Sequence, residues 1–220
     1  AREFNLKSGY SWSSLINFLN RSKSAKSKPL SIWKLSYGDE FSQSTLFCNY
    51  LSIGFDAAVV RDFALSRSSS GSYIPALGRW GNRLGYLNAA VRNITKIQSF
   101  KGIKCRSDLR ELNPLGPCIA LLFTNIHCIA GLGISEPSSN PSDSKIELLQ
   151  IDSLFNYTSM LFHHKVPLPR PCLVSSAQSW ELTRVPAGLT VKLDGEALNT
   201  ISSSQYRVEL AGSIQMISFG

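Results

Sequence analysis

From residue 100 onward, short apolar runs alternate with clusters of Gly, Pro, Asn and Ser, and this spacing restricts the fold more than any other feature of the chain. The runs are 100–106, 118–125, 145–151, 172–182, 189–193, 205–210 and 214–219. Apolar, β-branched or aromatic runs bounded by turn formers read as strands. Many short strands at such spacing predict a β-sandwich or a partly closed barrel. One interruption, 153–164, carries Leu154, Phe155, Met160 and Leu161 and reads as a helix. The class is mainly β with a few helices (α+β).

The first hundred residues add the helices. Residues 11–20 place Trp12, Leu15, Ile16 and Leu19 on one helical face. A polar loop with Arg21, Lys23, Lys26 and Lys28 follows and ends at Pro29. Ile32, Trp33, Leu35 and Tyr37 mark a strand over 31–37, Gly38-Asp39 a turn, and 45–53 its hairpin partner. Asp56 can cap a helix running through Ala57, Val60, Phe63 and Ala64. The low-complexity stretch from Ser68 to Ser72 reads as a flexible loop. Over 79–96, Trp80, Leu84, Leu87, Val91 and Ile94 recur every three or four residues and are expected to line one face. Gly81 and Gly85 each weaken that helix by about 1 kcal/mol relative to Ala and permit close packing. The organisation expected is a helix and basic loop over 1–29 and one β-rich domain over 30–220.

A chain of 220 residues can bury a substantial core, and 43% hydrophobic against 17% charged residues excludes a disordered protein. The longest apolar run, from Cys118 to Phe123, falls far short of the ~20 residues of a membrane helix. The amino terminus has no signal-peptide core, so a cytoplasmic chain is expected. Cys48, Cys105, Cys118, Cys128 and Cys172 are odd in number, scattered and without a Cys-x-x-Cys pair; buried free thiols fit better than zinc. His127, His163 and His164 are too few and too remote from other ligands for a metal site, and His163-His164 reads as a helix end.

The formal charge is +8, and the basic residues fall in two zones, 21–28 and 79–110. No recognition motif or interleaved aromatics accompany it, which argues against a nucleic-acid partner. Peripheral attachment to anionic lipid fits, as does a merely solvated basic surface.

Chemistry centres on acidic positions. Asp194-Gly195-Glu196 sets two carboxylates about a residue that tolerates a tight turn, and Asp-Gly is equally a common hairpin turn. Asp56 follows the strand-like Asn49-Tyr50-Leu51-Ser52-Ile53-Gly54, and a helix cap fills the same place. Asn125 ends a wholly apolar run, and the Ala130-Gly131-Leu132-Gly133 loop just after it can bring backbone N–H groups to a ligand. Neither Gly-x-x-x-x-Gly-Lys-[Ser/Thr] nor Gly-x-Ser-x-Gly occurs.

In order, these segments resemble the accessory domain of diacylglycerol kinases. The resemblance rests on Asn49 through Ala57 with Phe63 and Arg67 beyond, then Arg83-Leu84-Gly85-Tyr86. Asn125-Ile126 with Gly131, Lys145-Ile146-Glu147-Leu148-Leu149 and Leu193-Asp194-Gly195-Glu196-Ala197-Leu198 complete it. It covers residue 30 to the end, and no single motif decides it.

The resemblance implies the C-terminal half of an ATP-dependent lipid kinase, acting with Mg²⁺ on diacylglycerol to give phosphatidic acid. Sphingosine or ceramide is the alternative acceptor, and a non-catalytic module on anionic membranes the alternative class. It implies that residues 1–29 belong to the tail of a nucleotide-binding domain or to an inter-domain segment. The family's Gly-Gly-Asp-Gly-Thr loop is absent here, so the chain alone is expected to be inactive. Glu196 would act on the acceptor hydroxyl and Asp194 on Mg²⁺, with Asp56, Asn125 and Gly131 near the lipid. Asn125-Ile126-His127-Cys128 departs from the family's Asn-Ile-Pro-Ser, and Ala130 stands in place of one of its paired glycines. The stretch from Ser135 to Ser144 replaces a shorter polar turn.

Overall fold

The computed structural model describes residues 16–17, 20, 26–69, 78–108, 110–112, 114–129, 133–134, 138–162, 171–198 and 203–218. Of the helix expected over 11–20, Ile16, Asn17 and Asn20 are described and helical, and its other residues, the 68–72 loop beyond Ser69, Gly131 and His163-His164 lie outside them.

Period-two alternation builds two six-stranded antiparallel sheets. The first runs β2 (Gln43–Phe47), β1 (Lys26–Tyr37), β14 (Gln205–Ser218), β11 (Ser179–Thr183), β4 (Lys104–Ser107) and β5 (Arg110–Glu111). The second runs β10 (Cys172–Ala177), β9 (Ile146–Ile151), β6 (Ala120–Thr124), β3 (Tyr50–Gly54), β12 (Val191–Leu193) and β13 (Glu196–Ala197). A small ribbon pairs β7 (Cys128–Ile129) with β8 (Gly133–Ile134). The expected sandwich forms, and neither sheet closes into a barrel.

Between the sheets, Trp33, Leu35, Trp180, Leu182, Tyr206 and Val208 of the first meet Leu51, Ile53, Leu121, Phe123, Leu148 and Val191 of the second. The alternate residues of the first sheet face outward as cross-strand ion pairs, Lys34 with Glu209 at 2.5 Å and Arg207 with Glu181 at 3.6 Å.

The second sheet is covered on its other face by α1 (Phe55–Ser69), α2 (Gly78–Ile94) and α3 (Leu154–Phe162). Phe55, Val59, Phe63, Ala89, Tyr157 and Met160 pack there on Tyr50, Leu122, Leu149 and Ile151. Covered on both faces, β3 and β6 are buried at every position and, Ser52 and Thr124 apart, read as apolar rather than alternating.

Two expected strands each split between the sheets. The run over 45–53 breaks at Cys48-Asn49 into β2 and β3, and the run over 172–182 breaks at Gln178 into β10 and β11. Both halves feed one core, so the apolar pattern passes through each corner, with only the single Asn49 as a turn former at the first and none at Gln178. Asp108 holds the second corner by accepting from the N–H groups of Gln178 (3.0 Å) and Ser179 (2.8 Å). Conversely, 205–210 and 214–219 fuse into β14, which kinks against β1 where the register shifts after Ile32.

Leu87, Val91 and Ile94 share one face of α2 as expected, and that face is turned to solvent. Leu87, Val91 and Ile94 are 61%, 55% and 45% exposed. The face turned to α1 carries Gly85, Ala89 and Asn93 instead. A Cβ on Gly85 would stand 2.5 Å from the Phe63 ring, which stacks on Tyr86 at 4.1 Å between centroids. Asn93 donates to Asp62 (3.2 Å) and to the Ala89 carbonyl (2.8 Å). Small residues let the two helix backbones approach, and that contact decides the orientation of α2.

The basic zone over 79–110 also divides. Lys104, Arg106 and Arg110 lie on β4 and β5 at the edge of the first sheet, and Arg92 and Lys96 lie in the helical layer. Cys105 and Cys118 are buried thiols, each pushed up to about 12 by burial, whereas Cys172 is exposed. No helix among the described residues is long and apolar enough to cross a membrane.

Gly54 makes the step from β3 into α1. Its φ is +99°, and an added Cβ would meet the Ile119 carbonyl oxygen at 2.6 Å. Overpacking costs about 1–3 kcal/mol, and a disfavoured backbone about as much again. Gly54→Ala is therefore expected to destabilise the fold by roughly 2–5 kcal/mol in urea denaturation.

Candidate functional site

The sequence-predicted acids gather about one short hairpin, β12 and β13. Asp194 and Gly195 occupy its turn with φ of +48° and +98°, the positive pair that a tight hairpin turn requires. The Asp-Gly hairpin reading is therefore correct.

The Asp194 carboxylate does more than fill the turn. Its Oδ1 accepts from the N–H groups of Asn49 (2.7 Å) and Tyr50 (3.1 Å), and its Oδ2 from that of Cys48 (2.8 Å). The Asp194 N–H donates to the Tyr50 carbonyl at 2.9 Å. Asn125 grips the same corner from another side. Its Nδ2 donates to the Cys48 carbonyl (2.7 Å) and the Ser31 carbonyl (3.2 Å), and its N–H to the Asn49 carbonyl (2.8 Å). Asp194 and Asn125 thus meet on the point where the chain leaves the first sheet for the second.

Glu196 sits opposite Leu193 on β13 and is exposed. Its carboxylate takes no hydrogen bond or ion pair from the described residues, so it is free to act as a proton acceptor.

Asp56 is buried in the first turn of α1, 5% exposed, and does not face solvent. Its Oδ2 lies 2.5 Å from the Lys192 ammonium, and its Oδ1 accepts from the Tyr157 hydroxyl at 2.8 Å. Burial acts to raise its pKa, but the Lys192 charge and hydrogen bond, with the Tyr157 hydrogen bond, outweigh burial and hold it below the usual carboxylate value. Tyr50 joins this pair to the hairpin. Its ring centroid is 4.8 Å from the Lys192 ammonium, and its hydroxyl lies 3.3 Å from where a side chain on Gly195 would begin. Burial and the nearby Asp56 raise the Tyr50 pKa.

The sequence did not single out Lys192, Tyr157 or Glu147. Lys192 alternates with Val191 and Leu193 on β12, so a charged residue stands on a face that the helices cover. Glu147, on the same face of the second sheet, is 2% exposed, accepts from the Ser176 hydroxyl at 3.0 Å and has its pKa raised by burial. A charge at the alternate position of a fully buried strand was the available signal for both.

The metal expected at Asp194 meets a carboxylate whose two oxygens already serve three amides. Magnesium needs near-octahedral oxygen coordination, and no three His, Cys, Asp or Glu side chains converge to hold a metal among the described residues. The described residues do not build a Mg²⁺ site on their own.

Comparison with known proteins agrees with this two-sheet fold with helices over one sheet. Residues 46–197 match the diacylglycerol kinase accessory domain family, and the chain belongs to it. A solved structure of a diacylglycerol kinase from Bacillus anthracis str. Sterne superposes with a TM-score of 0.58 at 15% identity, covering 95% of this chain and 61% of that one. Two further structures from the same organism match at the same identity and coverage, with TM-scores of 0.58 and 0.57. At that identity the likeness establishes the fold, and the chain spans about 61% of the length of those structures. No curated protein matches it by sequence.

Removing one partner of a buried ion pair costs about 3–5 kcal/mol, because the other charge is left alone. Lys192→Met is expected to cost that much in urea denaturation, with Asp56→Asn/Lys192→Met recovering most of the loss. Since the folded pKa of Asp56 lies below its unfolded 3.8, its stabilisation is present above that pH and lost as pH falls further. The parent should lose this increment on acidification, and the double variant should not.

Proposed function

We propose that this chain is the acceptor-side part of a lipid kinase that transfers the γ-phosphoryl of ATP to the hydroxyl of diacylglycerol, giving phosphatidic acid. The observation that carries the reading is Glu196, an exposed carboxylate without a partner among the described residues, on a hairpin whose turn is fixed by four hydrogen bonds. A base must be free to take a proton yet held in place, and this arrangement supplies both.

In the reaction, Glu196 accepts the proton of the lipid hydroxyl as its oxygen bonds to the γ-phosphorus. The bond from that phosphorus to the β–γ bridging oxygen breaks, and ADP leaves. Phosphoryl transfer relies on positioning and charge neutralisation, so the protein needs no covalent intermediate. ATP and Mg²⁺ are the co-reactants, and the part of the enzyme beyond this chain holds most of their contacts. Asp194 positions Glu196 through the corner at residues 48–50. Asp56 and Asn125 also act as positioning residues, Asp56 through Lys192 and Tyr50.

The test uses a protein that spans the whole length of the solved relatives, assayed with ATP, Mg²⁺ and diacylglycerol. Glu196→Gln is expected to lower kcat by about 10²–10⁴-fold, the usual size of general-base catalysis, with the thermal midpoint unchanged. Asp194→Ala is expected to lower activity and also stability, by about 1.5–3 kcal/mol, because it orphans charge-assisted hydrogen bonds. A Glu196→Gln enzyme with parental turnover overturns the assignment.

A further inference from the structure

Residues 63–107 hold eight Lys and Arg and no Asp or Glu, and so carry the whole formal net charge of +8; the rest of the chain is balanced. Of the eight, Lys104 and Arg106 belong to β4, and the other six lie on α1, α2 and the connection after α2. The same segment presents the stripe Leu87, Val91 and Ile94, spaced i, i+4, i+7 on one helical face and 61%, 55% and 45% exposed. A surface helix of a globular protein ordinarily turns such a stripe inward. Here Gly85, Ala89 and Asn93 hold the inward face. Single exposed apolar residues need no explanation, whereas a continuous apolar stripe marks an interaction surface.

We propose that α2 docks on an anionic lipid surface. Leu87, Val91 and Ile94 enter the boundary between headgroups and acyl chains, and Lys96 and Lys101 sit at the level of the phosphates, whereas Arg92 is held against α1 by Asp62 at 3.1 Å. Both lysines belong to the carboxylate-free segment and are exposed. An apolar face bordered by cations is the pattern of a helix lying in the bilayer interface. Charge decides between occupants. A second copy meeting α2 with α2 would bring two carboxylate-free, strongly basic segments together, and like charges repel. An anionic bilayer neutralises the same charge and solvates the stripe.

Docking requires no ATP and no phosphoryl transfer, so vesicle binding and kinase activity fail independently. The full chain is sedimented without nucleotide with phosphatidylcholine vesicles, with and without phosphatidylserine. Phosphatidylserine is expected to strengthen binding by about tenfold or more, and added salt to reverse the gain. Leu87→Ser/Val91→Ser/Ile94→Ser is expected to weaken binding by about tenfold or more, with circular dichroism and thermal midpoint unchanged. Should that variant fold poorly, Val91→Trp replaces it, and its added fluorescence is expected to shift to the blue on phosphatidylserine vesicles. Indifference of the parent to phosphatidylserine, parental binding by the triple variant, or an unshifted Trp overturns the proposal. So does a parental dimer that the triple variant converts to monomer, since a second copy then covers the stripe.

Discussion

The placement of the candidate base depends on one carboxylate. Asp194 accepts three backbone N–H groups at the corner where the chain passes from β2 in the first sheet to β3 in the second. The hairpin that carries it is short, three residues in β12 and two in β13, so its own ladder gives little rigidity. Charge-assisted bonds to the amides supply the missing rigidity. They tie a hairpin near the end of the chain to a corner near its beginning. Asn125 grips the same corner through the Cys48 and Asn49 carbonyls, so donors and acceptors of the turn are both engaged.

The buried Asp56–Lys192 pair sits one strand alternation away from that turn, and stability alone does not account for it. Apolar residues of similar volume often replace a buried ion pair at little or no cost. Register supplies a reason. With three residues, β12 has few contacts to fix its alignment, and a one-residue slip would turn Lys192 into the apolar core between the sheets. There it would find no carboxylate. The pair penalises that slip, and the same register sets Asp194 at the corner and Glu196 opposite Leu193.

Much of this was legible locally. Alternation along β1, β11 and β14 marks a sandwich, Gly54-Phe55-Asp56 marks a strand that yields to a helix, and Asp194-Gly195 marks a hairpin turn. What escaped is what local periodicity does not encode. The corner at Gln178 carries no turn residue and that at Cys48-Asn49 only one, because the strands on both sides feed one core. Lys192 is the partner of Asp56 only once two distant segments meet. The face of α2 was read from where its large apolar residues lie, yet Gly85, Ala89 and Asn93 decided it, since they let α1 and α2 approach. Hydrophobic periodicity finds the apolar face of a helix; it does not say what that face meets.

The two readings of the molecule bear on each other through α1. Its residues contact β13, which carries Glu196, and they pack against α2, which carries the exposed stripe. A diacylglycerol hydroxyl lies close to the bilayer surface, so a kinase acting on it must bring its base down to that surface. With α2 lying in the interface, α1 would fix how far β13 stands from it, and the helical layer would set distance as well as cover the second sheet. The signs of charge agree with this. The basic residues of α1, α2 and the connection after α2 would face the anionic lipid, while Asp194 and Glu196, repelled by the same lipid, sit on another element. Attraction at the helices and repulsion at the hairpin would together favour one orientation of the protein on the bilayer.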